Sequence, residues 1–378
     1  MKRIILFAAM ILMMTLLASC GDSGDPRFAA DEYLEAYDQN RNLPPIFDGL
    51  CKSGDTFYIC THSGKVLLQL FDGKSGMSMP LCIKPECTHT DDSCNAVLSG
   101  YANGLSVYEG RLYWAGVSND FNYAVYSESL DGTGRQILRE LPEEWVNLDD
   151  YTVFHRGKVY GAGILESISG GSPEYTVKVC GGTLDGNDSF TVLDKTFIGG
   201  ASPKVEIQAV GNTLYAAIMT ENTLELYSWD CQKQDMNSIY SGSVDFKPGE
   251  FWADSAGDIY ISGGLNVYKL SKGKELSKVF DFSEMGDLAR IAGFCDGYVI
   301  ADELCADGTI GVLIKDYSGN TVVESNFGEI GKNMGRAYFG CCDDSLIYRF
   351  YDMDNGAMTY MSIPFSGDQA TLLWKFDM

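Results

Sequence analysis

Seven times along this chain a glycine- or aspartate-led turn runs straight into a short apolar run, usually one that carries a tyrosine. Five copies are plain: Gly54-Asp55-Thr56-Phe57-Tyr58, Gly110-Arg111-Leu112-Tyr113, Gly157-Lys158-Val159-Tyr160, Gly211-Asn212-Thr213-Leu214-Tyr215 and Gly257-Asp258-Ile259-Tyr260. Two are degenerate, Gly297-Tyr298-Val299-Ile300 and Asp344-Ser345-Leu346-Ile347-Tyr348. The last residues of these runs fall at 58, 113, 160, 215, 260, 300 and 348, so the successive intervals are 55, 47, 55, 45, 40 and 48 residues. A period of roughly 40–50 residues built only of strands and turns is the pattern of a propeller, one four-stranded blade per repeat. The expected fold is therefore all-β, a β-propeller of seven four-stranded blades.

The second repeat displays the unit most fully. Leu105–Tyr108 reads as a first strand, Glu109-Gly110 as a hairpin, Arg111–Gly116 as a second strand and Asn122–Leu130 as a third. Asp131-Gly132 then turns the chain into a fourth, Arg135–Leu138, since Asp-Gly adopts positive φ cheaply. Thr371–Phe376 supplies a fourth strand for the last blade; spacing alone leaves open whether an N-terminal strand closes the ring instead. Residues 46–378 form the propeller, and no second domain is expected.

The chain opens like an export signal. Lys2 and Arg3 precede an apolar run from Ile4 to Leu17 that is too short to span a bilayer. Leu17-Ala18-Ser19-Cys20 then resembles the lipobox of bacterial lipoproteins, with cleavage of residues 1–19 and lipidation of Cys20. Residues 20–45 read as a lipidated tether with a short helix, capped by Asp25 and ended by Pro44-Pro45. No later stretch approaches the roughly 18 apolar residues of a membrane helix. The expected location is the cell envelope, lipid-anchored on the extracytoplasmic side of a bacterial membrane.

The formal net charge is −24, and removing Lys2 and Arg3 with the signal makes it −26. Such a surface repels phosphate backbones, so a nucleic-acid partner is excluded.

One segment breaks the repeat. Between blades one and two lies Cys82-Ile83-Lys84-Pro85-Glu86-Cys87-Thr88-His89-Thr90-Asp91-Asp92-Ser93-Cys94. Three cysteines and a histidine match the donors of a structural zinc site, although C-x4-C-x-H-x4-C is not a standard finger spacing. Exported proteins also favour disulfides. Three readings stand: a disulfide-stapled loop, a site for zinc or a similar metal at Cys82, Cys87, His89 and Cys94, or unpaired thiols. No cofactor is required by any motif. The other cysteines after Cys20 lie at 51, 60, 180, 231, 295, 305, 341 and 342.

With these residues in view, the chain resembles exported β-propeller lipoproteins of unknown function from anaerobic Gram-positive bacteria. They carry a segment like Leu81-Cys82, Pro85-x-Cys87-x-His89 and Cys94-Asn95-Ala96 after the first blade. The resemblance implies a TolB-type or WD40-like propeller and an envelope location, and it carries no activity. The Gly-His and Trp-Asp pairs of WD40 repeats are not repeated here; the single Trp229-Asp230 reads as chance.

Catalytic constellations are scarce. No G-x-S-x-G elbow occurs, Gly73-Lys74-Ser75 lacks the upstream glycine of a phosphate loop, and Asp352-Met353-Asp354-Asn355-Gly356 reads as a hairpin tip. His62 and His155 read as surface or packing residues, and Cys341-Cys342 as strand neighbours facing opposite ways. The expected role is a binding or protein-interaction module whose ligand is an unidentified protein or glycan. The alternatives are a glycan-active enzyme using carboxylates at the channel mouth and a structural envelope scaffold. Exposed aromatics beside carboxylates at the mouth would favour glycans, whereas a single apolar rim patch would favour protein binding.

Overall fold

The computed structural model describes residues 50–377, except 64, 92, 101, 118–121, 143–144, 146–150, 187, 272–274, 296, 327–333, 343–344, 353–356 and 368, together with Arg27 and Leu34. The signal at 1–19, the lipidation site Cys20, the short helix expected in the tether and the hairpin tip at 353–356 lie outside the described residues. Among the described residues no helix is long and apolar enough to cross a membrane.

Seven antiparallel sheets follow one another along the chain. Blade one holds β1 (Leu50–Ser53), β2 (Thr56–Ser63), β3 (Lys65–Asp72), β4 (Ser78–Pro80) and β5 (Val97–Leu98). Blade two holds β6 (Asn103–Tyr108), β7 (Arg111–Val117), β8 (Tyr123–Ser129) and β9 (Gln136–Glu140). Blade three holds β10 (Tyr151–His155), β11 (Lys158–Ser169), β12 (Ser172–Thr183) and β13 (Phe190–Ile198). Blade four holds β14 (Lys204–Val210), β15 (Thr213–Met219), β16 (Thr223–Asp230) and β17 (Asp235–Ser243). Blade five holds β18 (Pro248–Ala253), β19 (Ile259–Gly263), β20 (Asn266–Leu270) and β21 (Ser277–Asp281). Blade six, the weakest in sequence, is a full sheet of β22 (Ala289–Cys295), β23 (Tyr298–Leu304), β24 (Ile310–Asp316) and β25 (Thr321–Asn326). Blade seven holds β26 (Met334–Cys342), β27 (Ser345–Asp352), β28 (Ala357–Pro364) and β29 (Thr371–Asp377).

The repeated turn is the hairpin between the first two strands of each blade. Gly54, Gly110, Gly157, Gly211, Gly257 and Gly297 all take positive φ there, the conformation that glycine reaches without a Cβ clash. The apolar marker of each copy lands on the second strand, where a sheet flanked on both faces buries it. Tyr58, Tyr113, Tyr160, Tyr260, Ile300 and Tyr348 are buried, and Tyr215 is half-buried.

The first strand of every blade lies innermost. β1, β6, β10, β14, β18, β22 and β26 neighbour one another in that order, and β26 returns to β1. The side chains of Glu206 and Gln208 accept hydrogen bonds from the backbone of Phe251 and Ala253 respectively. Both partners advance by two, so adjacent inner strands run parallel. All of them therefore start at one end of the central channel and reach their hairpins at the other. Closure needs no exchanged N-terminal strand: blade seven is wholly C-terminal, and Leu50, Phe57, Ile59 and Phe71 of blade one pack with its Ile347 and Tyr360.

The cysteine segment is not in the connection between blades one and two, as its position in sequence suggests; it interrupts the outer strand of blade one. β4 pairs with β3 up to Pro80 opposite Gln69, and β5 resumes at Val97 opposite Leu67. The chain leaves as Leu81 N donates to Leu68 O and returns as Leu68 N donates to Ala96 O. A two-residue strand such as β5 is too short to show in sequence, so the resumption was hidden.

Candidate metal centre and channel mouth

The excursion from Leu81 to Ala96 is polar and largely exposed, with Leu81, Cys94 and Ala96 buried at its two ends. Short turns shape it: Cys87 N donates to Lys84 O, Cys94 N to Asp91 O at 3.0 Å, and Ser93 N to the Asp91 carboxylate at 2.9 Å. Lys84 Nζ reaches across to Ser93 O. The result brings the four expected donors together: the Sγ atoms of Cys82, Cys87 and Cys94 and a ring nitrogen of His89 all lie within 4.8 Å of one another. His89 Nδ1 is 3.2 Å from Cys94 Sγ, and Ala96 N donates to that sulfur at 3.3 Å. No disulfide joins any two of the three cysteines. Burial pushes the Cys94 thiol up to about 11. At Cys82 burial acts the same way, but hydrogen bonds headed by the Lys84 backbone outweigh it and leave the thiol below its ordinary value. This set can hold a metal ion, and among the described residues no other group of three or more Cys, His, Asp or Glu gathers so tightly.

The centre sits on the outer rim and ties blade one to blade two. Asn95 Nδ2 donates to Gly132 O at 2.6 Å, and Arg135 donates to Val97 O at 2.7 Å.

At the channel end where the inner strands begin, five blades contribute polar groups that the sequence did not single out. Glu206 is 5% exposed and bridges three successive inner strands: Tyr151 Oη donates to it at 3.3 Å, Phe251 N at 2.9 Å, and Lys204 Nζ pairs with it at 2.5 Å. Lys204 also pairs with the half-exposed Glu250 at 3.2 Å. Burial, and then the Glu250 carboxylate, hold the Glu206 carboxyl above the usual carboxylate range, against the pull of Lys204. One blade on, Arg290 grips the fully buried Asp302 with two bonds of 3.0 and 3.2 Å, and Tyr348 Oη donates to the same carboxylate. The signal for this cluster was the strict polar–apolar alternation Lys204-Val205-Glu206-Ile207-Gln208-Ala209, which turns one face of an inner strand away from the core.

The same end carries an open groove of about 630 Å³ on blade six, lined by Glu284, Met285, Glu303, Leu313, Glu324 and Asn326. Blade three raises its long β11–β12 hairpin there, exposing Ile168 and Ile198. Register puts them on opposite faces of the sheet, since Ile168 pairs with Pro173 and Ile198 with Glu174. They form no single apolar patch.

The remaining motifs are structural. Gly73-Lys74-Ser75 is the β3–β4 turn, closed by Asp72 accepting from Lys74 N at 2.8 Å. His155 is buried and bonds Gly211 O of blade four at 2.7 Å. Cys51, Cys60, Cys180, Cys231 and Cys295 pack in the core. His62 lies in β2, and Cys341 and Cys342 in β26.

No family model matches the chain, and no curated protein matches it in sequence. Its fold is similar to several solved structures. Pyrococcus horikoshii acylaminoacyl peptidase aligns with TM-score 0.51 and 9% identity over 90% of this chain and 52% of that one. An oligogalacturonate lyase in complex with manganese aligns with TM-score 0.53 and 10% identity over 86% of this chain and 90% of that one. A family PL25 ulvan lyase aligns with TM-score 0.50 and 8% identity over 90% and 97%. At these identities the likeness establishes the propeller fold alone. The chain spans about half the length of the peptidases it matches.

Proposed function

We propose that this protein is exported, anchored by lipid at Cys20 outside a bacterial membrane, and acts as a binding module whose channel mouth takes a glycan. The observation that carries the binding role is the convergence of Tyr151, Lys204, Glu206 and Glu250 at the starts of three adjacent inner strands. An aromatic hydroxyl, an ammonium and two carboxylates offer the mixed donors and acceptors that sugar hydroxyls need. Export and anchoring rest on Lys2, Arg3, the apolar run and the Leu17–Cys20 lipobox. In this reading the cysteine centre is architectural, since it lies on the rim of blade one.

Titration calorimetry against acidic and neutral polysaccharides tests the role. Lys204→Ala and Glu250→Ala are expected to weaken binding about tenfold each, on the order of 1.4 kcal/mol. Variants that bind like the parent would sink the assignment of the mouth.

A second reading, a glycan-active enzyme, is favoured by one contrast. Glu206 is buried and biased toward its protonated form, while Glu250 is half-exposed and shares Lys204 with it. Two carboxyls in unlike environments suit an acid and a base, and two solved structures of similar fold are an oligogalacturonate lyase and a polysaccharide lyase. Turnover of an acidic polysaccharide, lost in both Glu206→Gln and Glu250→Gln, would establish this reading. Binding without turnover leaves the first.

A further inference from the structure

We infer that Cys82, Cys87, His89 and Cys94 bind one Zn²⁺ ion in a tetrahedral site that closes the split outer strand of blade one. The inference is independent of the ligand proposed for the mouth and rests on the rim segment alone.

Geometry comes first. Around a tetrahedral zinc, with sulfur at about 2.3 Å and nitrogen at about 2.0 Å, neighbouring sulfurs stand about 3.8 Å apart and sulfur and nitrogen about 3.5 Å apart. Four donors all within 4.8 Å of one another, one pair at 3.2 Å, are close enough together for one ion to reach all four. A disulfide joins two sulfurs at bonding distance and explains only two of the four. It leaves the third thiol and the imidazole converging on nothing.

The donor set selects the ion. Three sulfurs and one imidazole suit zinc and disfavour calcium or magnesium, which take oxygen ligands. The one carboxylate described within the turn before Cys94, Asp91, is occupied by Ser93 N.

The backbone supplies an independent reason. Glu86 and His89 hold φ of 61° and 55°, a left-handed conformation that non-glycine residues adopt at a cost and keep where surroundings enforce it. Both flank Cys87 within two residues, and one is itself a donor. Yet the loop's own apolar burial is confined to its ends at Leu81, Cys94 and Ala96. A polar excursion of this length, returning in register to β3 at Val97, needs a crosslink to hold its shape. Binding displaces the thiol protons: three Cys–SH groups release three H⁺ and coordinate Zn²⁺ as thiolates, leaving the imidazole neutral and the centre at charge −1.

The full-length protein, purified without chelator or added metal, is expected to contain one zinc per chain by elemental analysis. Exchange into Co²⁺ should give the visible absorption of tetrahedral thiolate coordination, and His89→Ala and Cys87→Ser should each abolish both signals. Should a variant fail to fold, the wild-type protein decides by itself. Chelation should then release zinc, expose three additional thiols, and speed amide exchange at Leu68 and Val97 while the other blades keep their protection. A metal-free protein that takes up no cobalt overturns the inference, whether its three cysteines are found oxidised or free. Stoichiometric iron or copper in place of zinc overturns the choice of ion.

Discussion

Glu128 shows how much a single buried carboxyl sets the response of this fold to pH. It is fully buried in β8, and Arg135 on the way to β9 holds it with Nε 2.9 Å from Oε2. Burial pushes its pKa from an ordinary 4.5 up to about 7, and Arg135 only partly restrains the rise. Because the folded value is raised, the stabilising contribution is full below about pH 4.5 and is lost as pH climbs through 7. Shifts of this size correspond to roughly 3 kcal/mol. Glu128→Gln is therefore expected to flatten the stability profile across that window, measured by urea unfolding at a series of pH values. Arg135→Ala should do the opposite. Its cost should be small near pH 4.5 and reach about 3 kcal/mol above pH 7, where an unpaired carboxylate is left buried. A pH-independent effect of Arg135→Ala would show that its bonds to Val97 O, rather than to Glu128, account for its role.

At the scale of the element, two glycines in similar conformations separate backbone preference from packing. Gly110 in the β6–β7 hairpin has φ of 72° and open space where a Cβ would stand. Gly110→Ala should cost only the left-handed penalty, about 1–2 kcal/mol. Gly132, with φ of 79° in the β8–β9 turn, would set its Cβ 2.5 Å from Leu81 O at the start of the cysteine excursion. Gly132→Ala is expected to cost clearly more and to raise proteolytic cleavage within 81–96. Equal losses for the two would mean that blade two does not buttress the excursion. The contrast also marks what was legible in sequence. Both glycines are plain there as turn residues, because turn chemistry is local, and the seven-fold period follows from it. The partner of Gly132, Leu81, is not plain, because it is 51 positions away in the chain and on another blade. The same limit hid the site at the mouth. Cys82, Cys87, His89 and Cys94 stand in one short segment and announce their chemistry, whereas Tyr151, Lys204, Glu206 and Glu250 are ordinary strand residues until the ring sets three inner strands side by side.

For the whole molecule, the two ends of the channel have different company. Polar groups gather where the inner strands begin, while Arg27 meets the end where they turn. Arg27 donates to Tyr108 Oη at the close of β6, and the buried Arg156, in the hairpin after β10, donates to Arg27 O at 2.7 Å. Arg27 follows Cys20 by seven positions, which can span at most about 25 Å when fully extended. On the proposed lipid anchor, the hairpin end therefore stands near the bilayer. The mouth faces away, farther by the length of an inner strand, about 20 Å for six or seven residues. On the same proposal, the acidic surface would be repelled by anionic headgroups and would keep the body from lying flat. A donor fluorophore at the exposed Glu109, in the β6–β7 hairpin, should transfer energy to headgroup acceptors in reconstituted vesicles more strongly than one at Glu221. Glu221 is in the β15–β16 turn, at the end marked by the Lys204–Met219 pair. Equal or reversed transfer would refute this orientation. Failure of the parent protein to partition with vesicles, with Cys20→Ala behaving identically, would refute the anchor itself.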